Sequence, residues 1–464
     1  MNRGLIFKFI ALVLISSLLG FFSKAFGLNS HQALSISIFC VSILGTLFFW
    51  DFRLSFAFLG SSILLLTRTI DLESLIKFSS LDVILFLVGM MVLIGLLKEA
   101  GLFAWIVSLI LRIPNLTAKK FLIAISVISA LLACAVDEVT SIIFIVAAIL
   151  EICDYFEVDP VPFIIGAVIT TNIGSTGTVL GNPIGILIAT KAGLSFDDFI
   201  TKAFPLMILC LTVTVFILMF WYRKVLKQFD RKIKELGANE MLIRLISVPA
   251  EKGLRVCLGI FATTLIFIAL HHKLELMLGL EKNTILMVVP LISAGLVMIW
   301  KWRRARDYIE KDVEWWTLLF FLLLFAQAGT LKYTGATDVL AKKLVEIVKA
   351  SPQVLTGVVL WVSAIGSSIL DNVVLVAAFI PIVQSFKDLG FALQPLWWAL
   401  LFGGCIGGNI TLVGSTANIV ALGILEKEKN IKITFFRWFG IGLVTSLVAI
   451  TIVWISLLFL PIYR

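Results

Sequence analysis

The chain has 464 residues, of which 60% are hydrophobic and 14% are charged, and its mean hydropathy is +1.08. Soluble domains are about half apolar and about a quarter charged, so this composition excludes a soluble globular protein and a disordered one. The net charge is +9, and Lys and Arg concentrate in two clusters, 223–255 and 301–311, that each join two apolar stretches. Such clusters are typical of cytoplasmic loops rather than of nucleic-acid binding. We therefore predict an all-α, polytopic membrane protein.

Apolar stretches of about 20 residues, the length that crosses a bilayer as a helix, predict the simple spans. These are 5–22, 33–50, 54–70, 82–98, 203–222, 254–271, 285–300, 315–332 and 437–460. The first stretch also fits a signal peptide, because Arg3 and Lys8 precede a short apolar core. We favour a transmembrane helix within residues 1–30.

Two further apolar regions contain polar and Gly-rich interruptions. Irregular backbone at membrane depth is tolerated only where protein or water satisfies it. We predict one re-entrant hairpin at 121–153 and another at 354–389, because arms of about 12–16 residues are only about 18–24 Å long, short of the ~30 Å bilayer core. Each hairpin is followed by a helix broken near the midplane, at 161–190 and at 396–424.

The two halves of the chain carry the same features in the same order. Asp137 and Asp371 lie 234 residues apart (371 − 137), as do Lys98 and Lys332, and Asn172 and Asn409 lie 237 apart. This order predicts an internal repeat of about five helices per copy. The copies are 31–222 and 254–464, joined by a basic linker at 223–253.

The orientation of the repeats follows from the charges. With the linker in the cytoplasm, the first hairpin enters from the inside and the second from the outside. This arrangement is an inverted repeat, the layout of many secondary transporters. It places the N-terminus in the cytoplasm and the C-terminus outside.

Each predicted hairpin has a polar tip. The tip residues that we select as candidate ligands are Asp137, Glu138, Thr140, Asp371 and Asn372. An ionised carboxylate at the bilayer centre costs at least ~2.5–3.5 kcal/mol, so it persists where it meets a cation, water or hydrogen-bond donors. The tips predict ion coordination or proton binding. N-capping of the second arm by Asp137 and Asp371 is an alternative, and the two roles are compatible.

Both helix breaks are rich in short oxygen-bearing side chains. The candidate ligands are Asn172, Ser175, Thr176, Thr178 and Asn182 in the first break, and Asn409, Thr411, Ser415, Thr416 and Asn418 in the second. Unwound backbone also frees carbonyl oxygens, and hard cations prefer oxygen ligands. The breaks predict a Na⁺ site, although packing of small residues would give similar sequences.

The segments TNIGSTGTVLGNPIGILIATKAGLSFDDF (171–199) and GGNITLVGSTANIVALGI (407–424), with the tips VDEVTSIIF and LDNVVLVAAFIP, resemble the ion-transporter superfamily. The resemblance is greatest to its arsenite-permease, NhaD-type sodium/proton antiporter and P-protein-like branch. It implies eleven spans, two re-entrant hairpins, a homodimer and elevator-like movement. It also implies site-forming roles for most of the candidate ligands above. Four residues depart from the pattern: Glu138 stands where Asn is usual, Val374 and Leu375 replace a Thr pair, and Asn182 replaces an acidic residue.

We therefore predict a secondary active transporter of the plasma membrane, and not an enzyme. Its partners would be a small ion or small molecule and membrane lipid, with Na⁺ or H⁺ as the coupling ion. The tips carry no Lys or Arg, which favours arsenite or antimonite efflux or Na⁺/H⁺ antiport. Na⁺-coupled dicarboxylate or citrate symport is the main alternative. The sequence contains no G-x-x-x-x-G-K-[ST] nucleotide-binding motif, which disfavours a primary pump. An associated ATPase subunit and a channel function are remaining alternatives.

Overall fold

The computed structural model describes residues 8–18, 27–235, 252–348 and 351–463. Every regular element within these residues is a helix, which confirms the all-α prediction. Seven of the described helices are long and apolar enough to cross a membrane, or nine if each of two bent pairs is one span. The ends of the first predicted span and most of the basic linker lie outside the described residues.

The helices of the first half run in the order of the chain. They are α1 (Lys8–Leu18), α2 (Ser30–Phe48), α3 (Arg53–Leu66), α4 (Leu72–Phe78), α5 (Leu81–Glu99), α6 (Leu102–Leu111), α7 (Ala118–Ala135), α8 (Glu138–Tyr155), α9 (Val161–Gly174), α10 (Pro183–Ala192), α11 (Phe196–Trp221) and α12 (Arg223–Glu235).

The second half contains helices of similar lengths to those of the first half, in a similar order. They are α13 (Lys252–Ala269), α14 (His271–Leu278), α15 (Thr284–Trp300), α16 (Trp302–Asp312), α17 (Trp315–Tyr333), α18 (Ala336–Val348), α19 (Pro352–Ile369), α20 (Asn372–Ser385), α21 (Gln394–Gly407), α22 (Thr416–Lys429) and α23 (Phe435–Phe459).

One predicted span is shorter than expected. Helix α3 has 14 residues and ends at Leu66, whereas the apolar pattern predicted a span over 54–70. The Thr67 hydroxyl donates to the Ile63 carbonyl at 2.8 Å, and Arg68 adopts a left-handed backbone (φ 53°). These two residues end the helix although the sequence beyond them contains further apolar residues.

Three of the four helices around the two tips are longer than predicted. Helices α7, α8 and α19 have 18 residues each and α20 has 14. The extra length at the start comes from N-caps at Thr117 and Ser351, which accept backbone N–H groups of the first turn. Because α7 and α19 are long enough to cross a membrane, the length argument for re-entrant hairpins is wrong. Re-entrance and the domain boundaries stay predictions.

Non-helical segments interrupt the chain at 175–182 and 408–415, within the two regions where broken helices were expected. One glycine at the start of each break lets the break lie directly against the preceding hairpin. A Cβ atom on Gly174 would lie 2.3 Å from the Ala130 carbonyl oxygen, and one on Gly407 would lie 2.3 Å from that of Ala364. Only glycine fits these contacts without moving backbone.

The helix boundaries correct one detail of the predicted repeat. Helices α9 and α21 begin 233 residues apart (394 − 161), and so do α10 and α22 (416 − 183). In this register Asn172 corresponds to Cys405, and Asn409 corresponds to Thr176. The predicted match of Asn172 with Asn409 is therefore wrong by four residues. Matching by residue type shifted the alignment by about one helical turn.

Contacts between the two halves are reciprocal. Helix α8 packs on α22 and its counterpart α20 packs on α10, while α5 packs on α15 and its counterpart α17 packs on α3. Exchange of equivalent partners is the pattern that a two-fold relation produces. It brings the first tip (residues 136–138) and the second tip (residues 370–372) towards the same place.

Candidate functional site

The two tips meet in the interior. Glu138 begins α8 and Asn372 begins α20, 234 residues later, and the Asn372 amide donates to Glu138 Oε1 at 3.1 Å. Glu138 is 1% exposed and Asn372 is fully buried. Equivalent residues of two related units touch each other only near their symmetry axis. Glu138 therefore lies where the two halves of the molecule join.

The side chains that hydrogen-bond to the Glu138 carboxylate are neutral. The Asn182 amide donates to Ser175 Oγ at 2.8 Å and lies 3.5 Å from Glu138 Oε2 and 3.1 Å from Cys405 Sγ. Glu138 takes part in none of the ion pairs found among the described residues. A buried carboxylate without a cationic partner is costly. This position can bind a proton or a metal cation.

A second cluster of buried polar side chains links the two helix breaks by hydrogen bonds. The Asn172 amide donates to Asn409 Oδ1 at 2.8 Å and to Asn418 Oδ1 at 2.9 Å, and Ser415 Oγ donates to Asn172 Oδ1 at 3.1 Å. Asn418 also donates to two carbonyl groups of the break 408–415. These four side chains bond one another and the backbone, so their geometry positions the breaks.

Both tip aspartates cap helices. Asp137 Oδ1 accepts the N–H groups of Val139 and Thr140 at 2.9 Å, and Asp371 Oδ1 accepts that of Val373 at 3.1 Å. The capping alternative is therefore present in the structure. Capping occupies one carboxylate oxygen of each residue, and it leaves ion binding open at the other.

Asp371 joins the second tip to the second helix break. Its Oδ2 atom accepts the Thr416 hydroxyl at 2.6 Å. Asp371 also interacts electrostatically with Glu138. Two carboxylates of like charge in one buried region repel, and a shared cation would remove that repulsion.

Three of the threonines predicted as ligands donate hydrogen bonds to backbone carbonyl groups. Thr176 donates to the Ile173 carbonyl at 2.7 Å. Thr178 donates to the Cys134 carbonyl, and Thr411, its counterpart, donates to that of Ser368. The last two bonds fasten each break to the hairpin before it. These bonds give the threonines of both breaks a structural role, and ion binding by them stays a prediction.

A cavity of about 200 Å³, cavity A, reaches the first tip between α5, α8 and α17. Thr140 lines it together with charged residues of both signs. The charged lining residues are Lys98, Asp137, Glu138, Lys311, Asp312 and Glu314. Lys98 Nζ lies 3.4 Å from Asp312 Oδ1. Cavity A therefore gives small polar solutes a route to Glu138.

A neighbouring cavity of about 230 Å³, cavity B, is lined by Trp50 and Asp371. Thr416 lines cavity A, so the Thr416–Asp371 hydrogen bond lies between the two cavities.

Sequence reasoning missed a buried cation beside this bond. Arg53 is 5% exposed, its guanidinium lies 3.9 Å from the Trp50 ring centre, and it donates to Thr317 at 3.4 Å. It interacts electrostatically with Asp371 and Glu314. Among the described residues its Nε has no hydrogen-bond partner. A single Arg at a helix end usually extends to the membrane surface, so no sequence signal indicated its burial.

The apolar helices, the buried carboxylates at paired tips and the cavity with charged residues in its lining are features of a polytopic membrane transporter. Two solved transporters share the fold. The YdaH transporter of Alcanivorax borkumensis aligns with a TM-score of 0.54 at 14% identity, over 85% of this chain and 91% of that one. MtrF of Neisseria gonorrhoeae aligns with a TM-score of 0.55 at 16% identity, over 85% and 83%.

The chain belongs to the citrate transporter family (CitMHS), whose model matches residues 46–403. An uncharacterized transporter of Mycobacterium tuberculosis is 30% identical over 376 residues, 80% of this chain and 84% of the relative. The P protein of Homo sapiens is 26% identical over 450 residues, 82% of this chain and 54% of that protein. These matches confirm the resemblance to the P-protein-like branch. The chain is a multi-pass membrane protein of a transporter family.

Proposed function

We propose that this protein is a secondary active transporter of the plasma membrane in which Na⁺ or H⁺ binds at Glu138. The cation is coupled to movement of a small ion, as in arsenite efflux or Na⁺/H⁺ antiport. One observation carries the proposal: the buried Glu138 carboxylate meets the amides of Asn372 and Asn182 and no cationic side chain among the described residues. Such a carboxylate is stable when it carries a proton or a metal cation.

The oxygens near Glu138 suit Na⁺. Ser175, Asp371 and Thr416 all lie in the region of the tips, and each presents an oxygen of the type that hard cations prefer. Binding would replace the repulsion between the two carboxylates by two attractions. A proton on Glu138 would serve the same purpose without further ligands.

Alternating access is supported by a difference between the two halves. A third cavity, cavity C, has a volume of about 210 Å³ and is lined by Lys332. Lys332 is the repeat counterpart of Lys98, which lines cavity A. The lining of cavity C contains no residue of either tip, whereas cavity A reaches Glu138. A two-fold repeat in which one cavity reaches the tips and its counterpart does not fits a carrier open on one side.

The basic cluster 301–311 indicates how the protein is oriented in the membrane. Cavity A opens beside Lys311, which belongs to the basic cluster 301–311, so we place it on the cytoplasmic side. The two repeats are then inverted, the N-terminus is cytoplasmic and the C-terminus is outside. A homodimer, as the family resemblance implies, completes the proposal.

Sodium-coupled uptake of a carboxylate is the second candidate. Lys98 and Lys311 line cavity A, and the buried Arg53 lies beside it in contact with Thr317. These cations could hold an anionic substrate, and the family model is named for citrate.

Flux into proteoliposomes tests both candidates. Arsenite, citrate and Na⁺ are supplied against imposed Na⁺ or H⁺ gradients, with wild type, Glu138→Gln and Glu151→Gln. Glu151 is an exposed residue of the same helix, so its variant is the matched control. We expect gradient-driven flux in wild type and in Glu151→Gln, and flux at the level of empty liposomes in Glu138→Gln. Full coupled flux in Glu138→Gln would overturn the proposal, and the solute that moves decides between the candidates.

A further inference from the structure

We propose that cavity C binds a small anion that carries carboxylate or phosphate oxygens. Its polar lining consists of Ser80, Lys191, Lys332 and Gln384. The inference goes beyond the proposed cation site, because cavity C touches neither tip.

Cavity A provides an internal comparison. Many residues that line cavity C lie 234 positions from residues that line cavity A, the separation that Glu138 and Asn372 show. Examples are Lys98 and Lys332, Gly95 and Gly329, and Ile143 and Ala377. The two cavities are therefore the same part of the fold in two copies, and differences between them are differences in side chains.

The acidic residues of cavity A are missing from its counterpart. Asp312 in cavity A corresponds to Phe78 in cavity C, and Glu314 corresponds to Ser80. The contacts of two equivalent glycines support this match: a Cβ atom on Gly95 would lie 2.7 Å from the Asp312 side chain, and one on Gly329 would lie 2.3 Å from the Phe78 side chain. Cavity A thus pairs its lysine with a carboxylate, and cavity C does not.

Two ammonium groups consequently share a small cavity. Lys332 Nζ donates to the Gln384 side-chain oxygen at 3.3 Å. Within the described part of the chain, neither Lys191 nor Lys332 has a carboxylate oxygen within 4.0 Å. Asp82 interacts electrostatically with Lys191 from a greater distance. The cavity therefore carries an excess of positive charge, which an anion would neutralise.

Ser80 supplies an independent sign of a missing ligand. It is 3% exposed, and its hydroxyl has no hydrogen-bond partner among the described residues. A buried hydroxyl without a partner destabilises the fold unless a ligand or water satisfies it. Ser80 directly precedes α5, a helix of 19 residues, and its hydroxyl does not cap that helix. The hydroxyl is thus free to donate to a bound anion.

The size of the cavity limits the ligand. A volume of about 210 Å³ lies below the roughly 300–1,000 Å³ that holds a drug-sized molecule. One small carboxylate or phosphate group fits. It can belong to a soluble anion or to a lipid headgroup, since Lys332 lies near one end of α17.

Binding is measured on the full-length protein by calorimetry. The probes are inorganic phosphate and citrate in an uncharged detergent, and nanodiscs of phosphatidylglycerol against phosphatidylcholine. We expect Lys332→Gln and Lys191→Gln to weaken binding at least about tenfold, which corresponds to about 1.4 kcal/mol. Lys387→Gln, at an exposed lysine, should leave it unchanged. Binding of the soluble probes identifies a soluble ligand, and a preference for phosphatidylglycerol alone identifies a lipid headgroup.

A gain of negative charge gives the sharper test. Phe78→Asp recreates the Lys–Asp pair of cavity A, and Ser80→Glu places a carboxylate at the position of Glu314 without removing Phe78. Either variant should abolish anion binding although both lysines remain. Unchanged affinity in a folded Ser80→Glu protein, or no binding of any probe to wild type, would overturn the inference. Glu138→Gln should retain anion binding in cavity C, because that cavity contains no tip residue. The anion proposal is therefore tested independently of the cation proposal.

Discussion

Replacing Gly174 by alanine should push α9 away from α7 and weaken the packing that holds the first helix break. The added Cβ would lie 2.3 Å from the Ala130 carbonyl oxygen and 2.4 Å from its Cα. Ordinary contacts begin near 3.4 Å, so two backbone segments must separate by about 1 Å in a close-packed interior.

The expected change in the free energy of unfolding combines two opposing contributions. Overpacking typically costs about 1–3 kcal/mol, and a clash with backbone belongs at the upper end because no side chain can rotate away. Alanine is favoured over glycine by up to about 1 kcal/mol in a helix. We expect Gly174→Ala to lower the free energy of unfolding by about 2 kcal/mol.

The same helix offers a matched control. A Cβ atom on Gly166 would meet only side-chain atoms of Leu122 and Leu218, at 3.4 and 3.5 Å, so Gly166→Ala should be neutral or stabilising. The two variants should differ by about 2–3 kcal/mol, roughly 30- to 150-fold in the unfolding equilibrium constant.

Denaturant unfolding of the purified protein, followed by tryptophan fluorescence, measures this difference. Gly407→Ala should behave like Gly174→Ala, because its Cβ would meet Ala364 at the same distance. Equal stability of the Gly174 and Gly166 variants would refute the packing on which the site geometry depends.

Two further predictions concern charge and access. Arg53→Gln removes a positive charge that interacts with Asp371, so it should strengthen Na⁺ or H⁺ binding several-fold in a titration of the purified protein. Weaker binding would contradict an electrostatic effect of Arg53 on the cation site. Val139→Cys, in cavity A, should react with an impermeant maleimide from the cytoplasmic face, and Ala328→Cys, in cavity C, should react from the outer face. Labelling of both from one face would contradict the proposed orientation.

The sequence predicted those parts of the fold that local patterns determine. Apolar stretches located helices such as α5 and α17 to within a few residues, because bilayer-length hydrophobicity is a strong signal. The positions of the breaks followed from Gly, Pro and Asn clusters. The ends of α3 and α7 were missed, because they depend on capping hydrogen bonds by Thr67 and Thr117.

The candidate site was predicted less completely, because it is assembled from distant residues. The tips and breaks were found, but their pairing was not: Glu138 meets Asn372 and Asn182, and Asn172 meets three residues of the other half. Arg53 reaches this region only through the packing of α3 on α17. No residue pattern in a single sequence encodes that contact.

Uptake of cations by the purified, full-length protein tests the central proposal most directly. Binding of radioactive Na⁺ and release or uptake of protons in weak buffer are measured at equilibrium for wild type, Glu138→Gln and Glu151→Gln. We predict saturable binding of one of the two cations in wild type and in Glu151→Gln, and its loss in Glu138→Gln. Undiminished binding in Glu138→Gln would contradict the assignment of the coupling site to the junction of the two tips.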